Sequence, residues 1–183
     1  MTKTIKITGI CGSLRDGSYS RSLLETIASL LPEGSQFDSL DIGAIPHYNQ
    51  DLDTAKGPEA VLQGRKLIAE SDAVLITLPE FNHGIPGVLK NALDWLSRPA
   101  FTSCFNDKPV LFATIAPGPL GGVRAQYQMR ETLSSMRCKM LPLAEIAVTF
   151  AAQKFPDGKL VDEPTKQHLK TVLDSLLDQA GLN

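Results

Sequence analysis

Three short stretches gather the residue types that hold an anion or a flat, acceptor-rich molecule: GSLRDGSYS at 12–20, PEFNHGIPG at 79–87 and APGPLGG at 116–122. In the first, Gly12 and Gly17 let the backbone curl so that several N–H groups face one point. Ser13, Ser18 and Ser20 add hydroxyls and Arg15 a fork of five donors. That point suits a phosphate. A helix expected to begin near Ser20 adds about 0.3–1 kcal/mol through its positive end, while each charge-assisted hydrogen bond contributes roughly 1.5–3 kcal/mol. The plainer alternative is a serine-rich loop in which Ser20 only caps the helix.

The spacing argues against other phosphate chemistries. Gly12 and Gly17 are set as in G-x-x-x-x-G, but Ser18 and Tyr19 stand where a triphosphate-binding loop needs Lys and then Ser or Thr. No G-x-G-x-x-G is present. A Cys-x5-Arg phosphatase signature counted from Cys11 meets Gly17 where the arginine belongs, so Cys11 is not read as a nucleophile and a phosphate-ester hydrolase is disfavoured. His47, His83 and His168 have no metal-ligand spacing, and neither G-x-S-x-G nor H-E-x-x-H occurs.

In the second stretch, Pro79 and Pro86 stiffen a segment carrying Phe81 and Asn82, with Gly84 and Gly87 allowing close approach of the backbone. A planar ligand could lie there; a tight turn with Phe81 in the core is the bland alternative. In the third, Gly118, Gly121 and Gly122 leave room for something flat, although glycine-rich turns are common.

These stretches need a frame that brings them together. Apolar, β-branched runs alternate five times with amphipathic helical stretches, the pattern of a parallel sheet covered on both faces. Strands are expected at Thr4–Cys11, at Gln36–Ile42, at Asp72–Leu78, which reads as central, at Pro109–Ala116, and within Lys139–Val148. Helices are expected from Ser20 to about Leu31, from Glu59 to Ser71, from Val88 to Leu96, to about Ser135 and, with Asp162 as N-cap, through Leu169, Val172, Leu173, Leu176 and Leu177. The loop AIPHYNQDLDTAKGP after the second strand is too long to be only a connector. Right-handed crossovers place every strand-to-helix loop at one edge of such a sheet, where ligands bind.

The bulk numbers fit one α/β domain over residues 1–183. Eighteen Lys plus Arg against 20 Asp plus Glu give a net charge of −2 with the signs interspersed, so no nucleic-acid footprint is visible. The opening MTKTIKITGICGS enters a strand without an apolar leader, and no run is long enough to span a membrane, so a soluble cytoplasmic protein is expected. Cys11, Cys104 and Cys138 form no CxxC pair and read as small buried hydrophobes.

Taken together, GSLRDGSYS, LPEFNHGIPGVLKNALDWLSRP and ATIAPGPLGGVRAQYQMR closely resemble the NAD(P)H-dependent FMN reductase family, nearest its chromate, quinone and azo-dye reductases. The resemblance extends over nearly the whole chain, including IPHYNQDLD and FPDGKLVDEPT. It implies a flavodoxin-like doubly wound sheet of strand order 2-1-3-4-5, and FMN bound noncovalently at the interface of a homodimer, with dimers often paired into homotetramers. Carried over by position, Ser13, Arg15, Ser18, Tyr19 and Ser20 would hold the phosphate. Pro79, Glu80, Phe81, Asn82 and Gly84 would line the isoalloxazine, and Ala116, Pro117, Gly118, Gly121 and Gly122 would flank its other edge. In tetrameric relatives an aromatic at the His83 position and the Arg124 and Tyr127 positions meet across subunits.

The chain departs from its relatives at several of these places. They usually carry Asn at Ser20, a non-acidic residue at Asp16, Tyr at Phe81, Tyr or a similar residue at His83, and Ser at Ala116. Asp16 brings a negative charge near the phosphate unless it turns to solvent, and Ala116 removes a hydroxyl beside the flavin.

The implied activity is hydride transfer from NADH or NADPH to FMN and onward, by a ping-pong mechanism, to a small-molecule acceptor: a quinone, an azo compound, chromate or free flavin. A noncatalytic FMN-binding electron carrier or redox sensor is the alternative, against which the modest charge of −2 argues mildly. Glu80 invites a general-acid role, but a solvated or helix-capping carboxylate is the plainer reading, and no catalytic acid or base is assigned.

Overall fold

Alternating side chains on the strands serve two cores at once. On the central strand Val74, Ile76 and Leu78 pack into one cluster while Ala73 and Leu75 pack into the other, so the sheet must be covered on both faces. The computed structural model describes residues 4–182 and has that arrangement. Strands β1 (Lys6–Cys11), β2 (Gln36–Leu40), β3 (Ala73–Leu78), β4 (Val110–Ile115) and β5 (Ala147–Val148) form a parallel sheet of order 2-1-3-4-5. That order is the flavodoxin-like one, and β3, buried along its whole length, is central.

Helix α1 (Tyr19–Ser29) and the last helix α6 (Glu163–Ala180) cover one face; Leu23, Leu24 and Ile27 meet Leu169, Val172, Leu173, Leu176 and Leu177 there. The helices α2 (Glu59–Glu70), α3 (Gly87–Leu96) and α4 (Val123–Ser135) cover the other. A short helix, α5 (Ala151–Lys154), follows β5. The Asp162 carboxylate caps α6 by accepting from the Thr165 N–H at 2.9 Å.

All five strands are shorter than their sequence leads one to expect, and at β2 and β5 the structure shows what ends the pairing. β2 stops at Leu40, where the Asp41 side chain accepts from the Gly43 N–H at 2.8 Å and turns Ile42–Ala44 into a single 3-10 turn. β5 is only two residues long: Pro142 has no N–H to give a ladder, and the chain first bonds β4 at Ile146, whose carbonyl accepts from the Thr114 N–H at 2.9 Å, before pairing at Ala147 and Val148. The missing ladder is replaced by the buried Gln126, whose amide nitrogen donates to Thr114 Oγ1 (3.0 Å) and to the Ile146 carbonyl (2.8 Å).

The long loop after β2 is fastened to α3. The Pro46 carbonyl accepts from Trp95 Nε1 (2.8 Å) and from Asn91 Nδ2 (2.9 Å), while Asn91 Oδ1 accepts from the Tyr48 N–H (2.8 Å). Tyr48 meets the buried Trp95 edge to face at 4.9 Å. Among the described residues no helix is long and apolar enough to cross a membrane.

Candidate functional site

Where β1 ends, the Gly12 N–H donates to the Thr77 carbonyl at 2.7 Å. A Cβ at position 12 would lie 2.8 Å from Leu78 Cβ, so only glycine lets β1 leave the sheet this close to β3. The chain then turns, with the Ser18 N–H donating to the Arg15 carbonyl (3.2 Å) and Gly17 at φ +63°, a conformation that side chains disfavour. Beneath the loop the Cys11 thiol donates to the Ser13 carbonyl at 3.4 Å.

Ser18, and not Ser20, is the N-cap of α1: its hydroxyl accepts from the Ser20 N–H at 3.2 Å. Ser20 is thereby released from the capping role considered for it. Its side chain is 1% exposed and its hydroxyl has no hydrogen-bond partner among the described residues, an unusual state for a buried donor. The Ser20 carbonyl, in turn, accepts from the buried Thr77 hydroxyl at 2.7 Å. Arg15 is exposed and folds back over the loop, donating to the Asp16 carbonyl (3.2 Å) with its guanidinium 5.9 Å from the Tyr19 ring centre. Asp16 is also exposed.

The second loop is a two-residue hairpin. Phe81 and Gly84 exchange both backbone hydrogen bonds, at 3.0 and 2.9 Å, with Asn82 (φ 48°) and His83 (φ 64°) at its tip. Phe81 is 60% exposed, so it is not a core residue, and the core alternative for it is corrected. Glu80 turns its carboxylate to the start of α4. Gly122, the N-cap of that helix, has no side chain with which to satisfy the first N–H groups. Glu80 Oε2 accepts from the Arg124 N–H (2.9 Å) and the Ala125 N–H (3.1 Å) instead, and the Arg124 guanidinium stands 3.9 Å from Oε1. Two charge-assisted bonds at a helix start are worth about 1.5–3 kcal/mol each. With its oxygens so engaged, Glu80 acts as a cap.

The third loop is tied to the exit of β5: the Ala116 N–H donates to the Val148 carbonyl (3.0 Å), and the Phe150 and Ala151 N–H groups donate to the Gly118 (3.3 Å) and Ala116 (3.1 Å) carbonyls.

These loops meet over the carboxyl edge of β1, β3 and β4 around an open cavity of about 220 Å³. Ser13, Arg15, Ser18, Tyr19 and Ser20 line one end of it; Pro79, Glu80 and Phe81 with Ala116 and Pro117 line the other. Of the residues singled out from sequence, Asn82, Gly84, Gly118, Gly121 and Gly122 lie outside that lining. Asn82 and Gly84 shape the hairpin, and Gly121 and Gly122 take left-handed conformations (φ 60° and 84°) where a Cβ would press on Ala147 and Thr114. Ile115, read only as a strand residue, does line the cavity. Gln128, which no motif marked, reaches the hairpin from α4 and accepts from the Ile85 N–H at 2.7 Å.

The donor set fits FMN. An unpaired buried hydroxyl, an exposed cation and a helix start converge at one end, and proline, phenylalanine and alanine surfaces form the other, as a phosphate and a flat ring require. A larger hollow of about 450 Å³ between α3 and α4 mixes Lys90, Asp94, Arg98 and Glu131 and gathers no such set, so size alone does not locate the site.

Of the three cysteines, Cys11 reaches the site, through its bond to the Ser13 carbonyl. Burial pushes the Cys11 thiol up, and raises Cys104 to about 11 and Cys138 to about 12. Among the described residues no three His, Cys, Asp or Glu side chains are grouped to hold a metal.

The comparisons with known proteins agree with this chemistry. The family described as NADPH-dependent FMN reductase matches residues 5–153. An NAD(P)H-dependent FMN reductase of Pseudomonas aeruginosa is 37% identical over 177 residues, 96% of this chain and 95% of its own. A quinone reductase of Pseudomonas putida is 32% identical over 183 residues, 100% of this chain and 98% of its own. Among solved structures, the flavoenzyme NAD(P)H:(acceptor) oxidoreductase of Paracoccus denitrificans superposes with a TM-score of 0.88 at 33% identity, covering 97% of this chain and 98% of that one.

Proposed function

This chain belongs to the NADPH-dependent FMN reductase family and is an oxidoreductase that uses FMN, and from that premise we propose that it reduces quinones and similar small acceptors by a ping-pong mechanism. The observation that carries the reading is the buried, unpartnered Ser20 hydroxyl at the polar end of a cleft whose other end is apolar. When bound, FMN would supply the hydride-accepting and electron-donating chemistry that links a reduced nicotinamide to an acceptor.

The chain's own residues bind, orient and exclude water. Ser13, Ser18 and Ser20, with Arg15 swung in from its resting contact on Asp16, hold the phosphate and so fix the register of the whole ligand. Pro79, Phe81, Ala116 and Pro117 present apolar surface to the ring and keep its face dry. Glu80 moves no proton, because its carboxylate is committed to α4. In the open cleft lined by Pro79, Phe81, Ala116 and Pro117, nicotinamide and acceptor would occupy the same space in turn. That supports two half-reactions over a ternary complex.

A homodimer, or a homotetramer of dimers, fits the same cleft, which is open on one side and bordered by Phe81, with Tyr127 69% exposed on α4. One preparation tests the reading. The protein is purified, its released flavin identified, and NADH and NADPH oxidation compared with a quinone, chromate and free FMN as acceptors, alongside its mass in solution. Yellow protein, released FMN and parallel double-reciprocal plots are expected. A colourless protein that takes up no flavin overturns the proposal.

A further inference from the structure

We propose that Glu80 and Gln128 are positioning residues that hold the ring-facing hairpin in its binding shape; the inference rests on FMN lying against Pro79–Phe81. Two-residue hairpins with both tip residues at positive φ favour Asn followed by Gly. Here the tip is Asn82-His83, at φ 48° and 64°, and histidine, although among the side chains that take this conformation more readily, carries a Cβ that glycine lacks. The hairpin's own sequence therefore favours this shape less than Asn-Gly would, and bonds from outside add to it.

Those bonds come from the first two turns of α4 and run in both directions. From the hairpin, Glu80 Oε2 accepts from the Arg124 and Ala125 N–H groups at 2.9 and 3.1 Å. From the helix, Gln128 Oε1 accepts from the Ile85 N–H at 2.7 Å. Arg124 and Gln128 are one helical turn apart, so the two clamps grip the hairpin before and after its tip. Gly84 lies between them, and a Cβ there would collide with the Gln128 side-chain oxygen, so the helix and the hairpin are in close contact. A ligand meeting a hairpin fixed in this way does not have to order it.

The test separates ring from phosphate. Riboflavin and FMN are titrated into apoprotein of the wild type and of Glu80→Ala, Gln128→Ala, Gln128→Glu and Arg15→Ala. Amide exchange at Ile85, Arg124 and Ala125 is followed in the apoprotein. Gln128 is exposed, so its variants fold whatever becomes of Glu80→Ala.

Each alanine variant at 80 and 128 is expected to weaken riboflavin and FMN by the same factor, about five- to tenfold. Exchange should quicken at Ile85 in Gln128→Ala and at Arg124 and Ala125 in Glu80→Ala. Gln128→Glu, which keeps the acceptor, restores both readouts, whereas Arg15→Ala weakens FMN alone. Wild-type affinity for both flavins in the two alanine variants, or a loss confined to FMN, overturns the positioning role while leaving the FMN reading intact. A wild-type protein that binds neither flavin overturns both.

Discussion

The hydroxyl of Thr77, at the buried end of the central strand, donates a 2.7 Å hydrogen bond to the carbonyl of Ser20 in the first turn of α1. The bond spans 57 residues of sequence and fixes the first turn of α1 to the sheet. Thr77→Val keeps the shape and deletes the donor. We expect it to lower stability by about 0.5–1.5 kcal/mol and to weaken FMN, since the helix start is then free to shift. Urea unfolding and flavin titration check this; unchanged values in both would dismiss the anchoring role.

Ser20→Ala should move stability and binding in opposite directions. The hydroxyl it removes is buried and unpaired, a state that costs about 1–3 kcal/mol, so the apoprotein should melt higher. The same hydroxyl is proposed as a phosphate donor, so its loss should weaken FMN about fivefold to tenfold. Thermal melts of the apoprotein and flavin titration give the two signs, and an apoprotein made less stable would contradict the assignment.

The three thiols should resist alkylation in the folded protein. Cys104 and Cys138, raised to about 11 and about 12 by burial, stay protonated through the neutral range, and Cys11 is shifted the same way. The stability tied to these groups is present below the ordinary thiol value of 9.0 and is lost as pH climbs through 11 to 12. Mass spectrometry after iodoacetamide treatment at pH 8 should find the native protein almost unlabelled and the denatured protein labelled three times. Rapid native labelling would show the thiols to be open.

Asp162 makes the last helix acid-sensitive. Hydrogen bonds from the Thr165 side chain and backbone hold its carboxyl below the usual 3.8. A lowered pKa of this kind contributes stability that is complete above 3.8 and disappears as pH falls through the folded-state value. Asp162→Asn keeps an acceptor but does not titrate, so its melting temperature should decline less steeply than the wild type's below pH 3.8. Parallel slopes in melts from pH 2 to 5 would remove Asp162 from the account.

Much of the fold was legible in the chain. Five apolar runs at the right spacing define five strands, and the helix faces of Leu23, Leu24 and Ile27 and of Leu169, Val172, Leu173, Leu176 and Leu177 pack as their spacing demands. Periodicity reports burial, and burial on both faces of a sheet leaves few topologies. It is blind to backbone donors, so the two-residue β5 stood hidden behind Pro142 within a longer apolar run.

The polar, glycine-rich composition of 12–20, 79–87 and 116–122 was likewise visible, because loop chemistry is written in residue types. Which oxygen does what was not. Ser18 and Ser20 are equivalent as letters, and only the path of the chain makes Ser18 the cap and leaves Ser20 unpaired. Glu80 could be read as a helix-capping carboxylate, but which helix it caps, and that Gln128 answers it, could not be read, since each bond joins residues more than 40 positions apart. The sequence by itself determined the sheet, its two cores and the loops at its carboxyl edge, through short-range patterns of apolar and polar side chains. The tertiary structure alone decided the hydrogen-bond partners, because direction and distance between remote segments exist only once the chain has closed on itself.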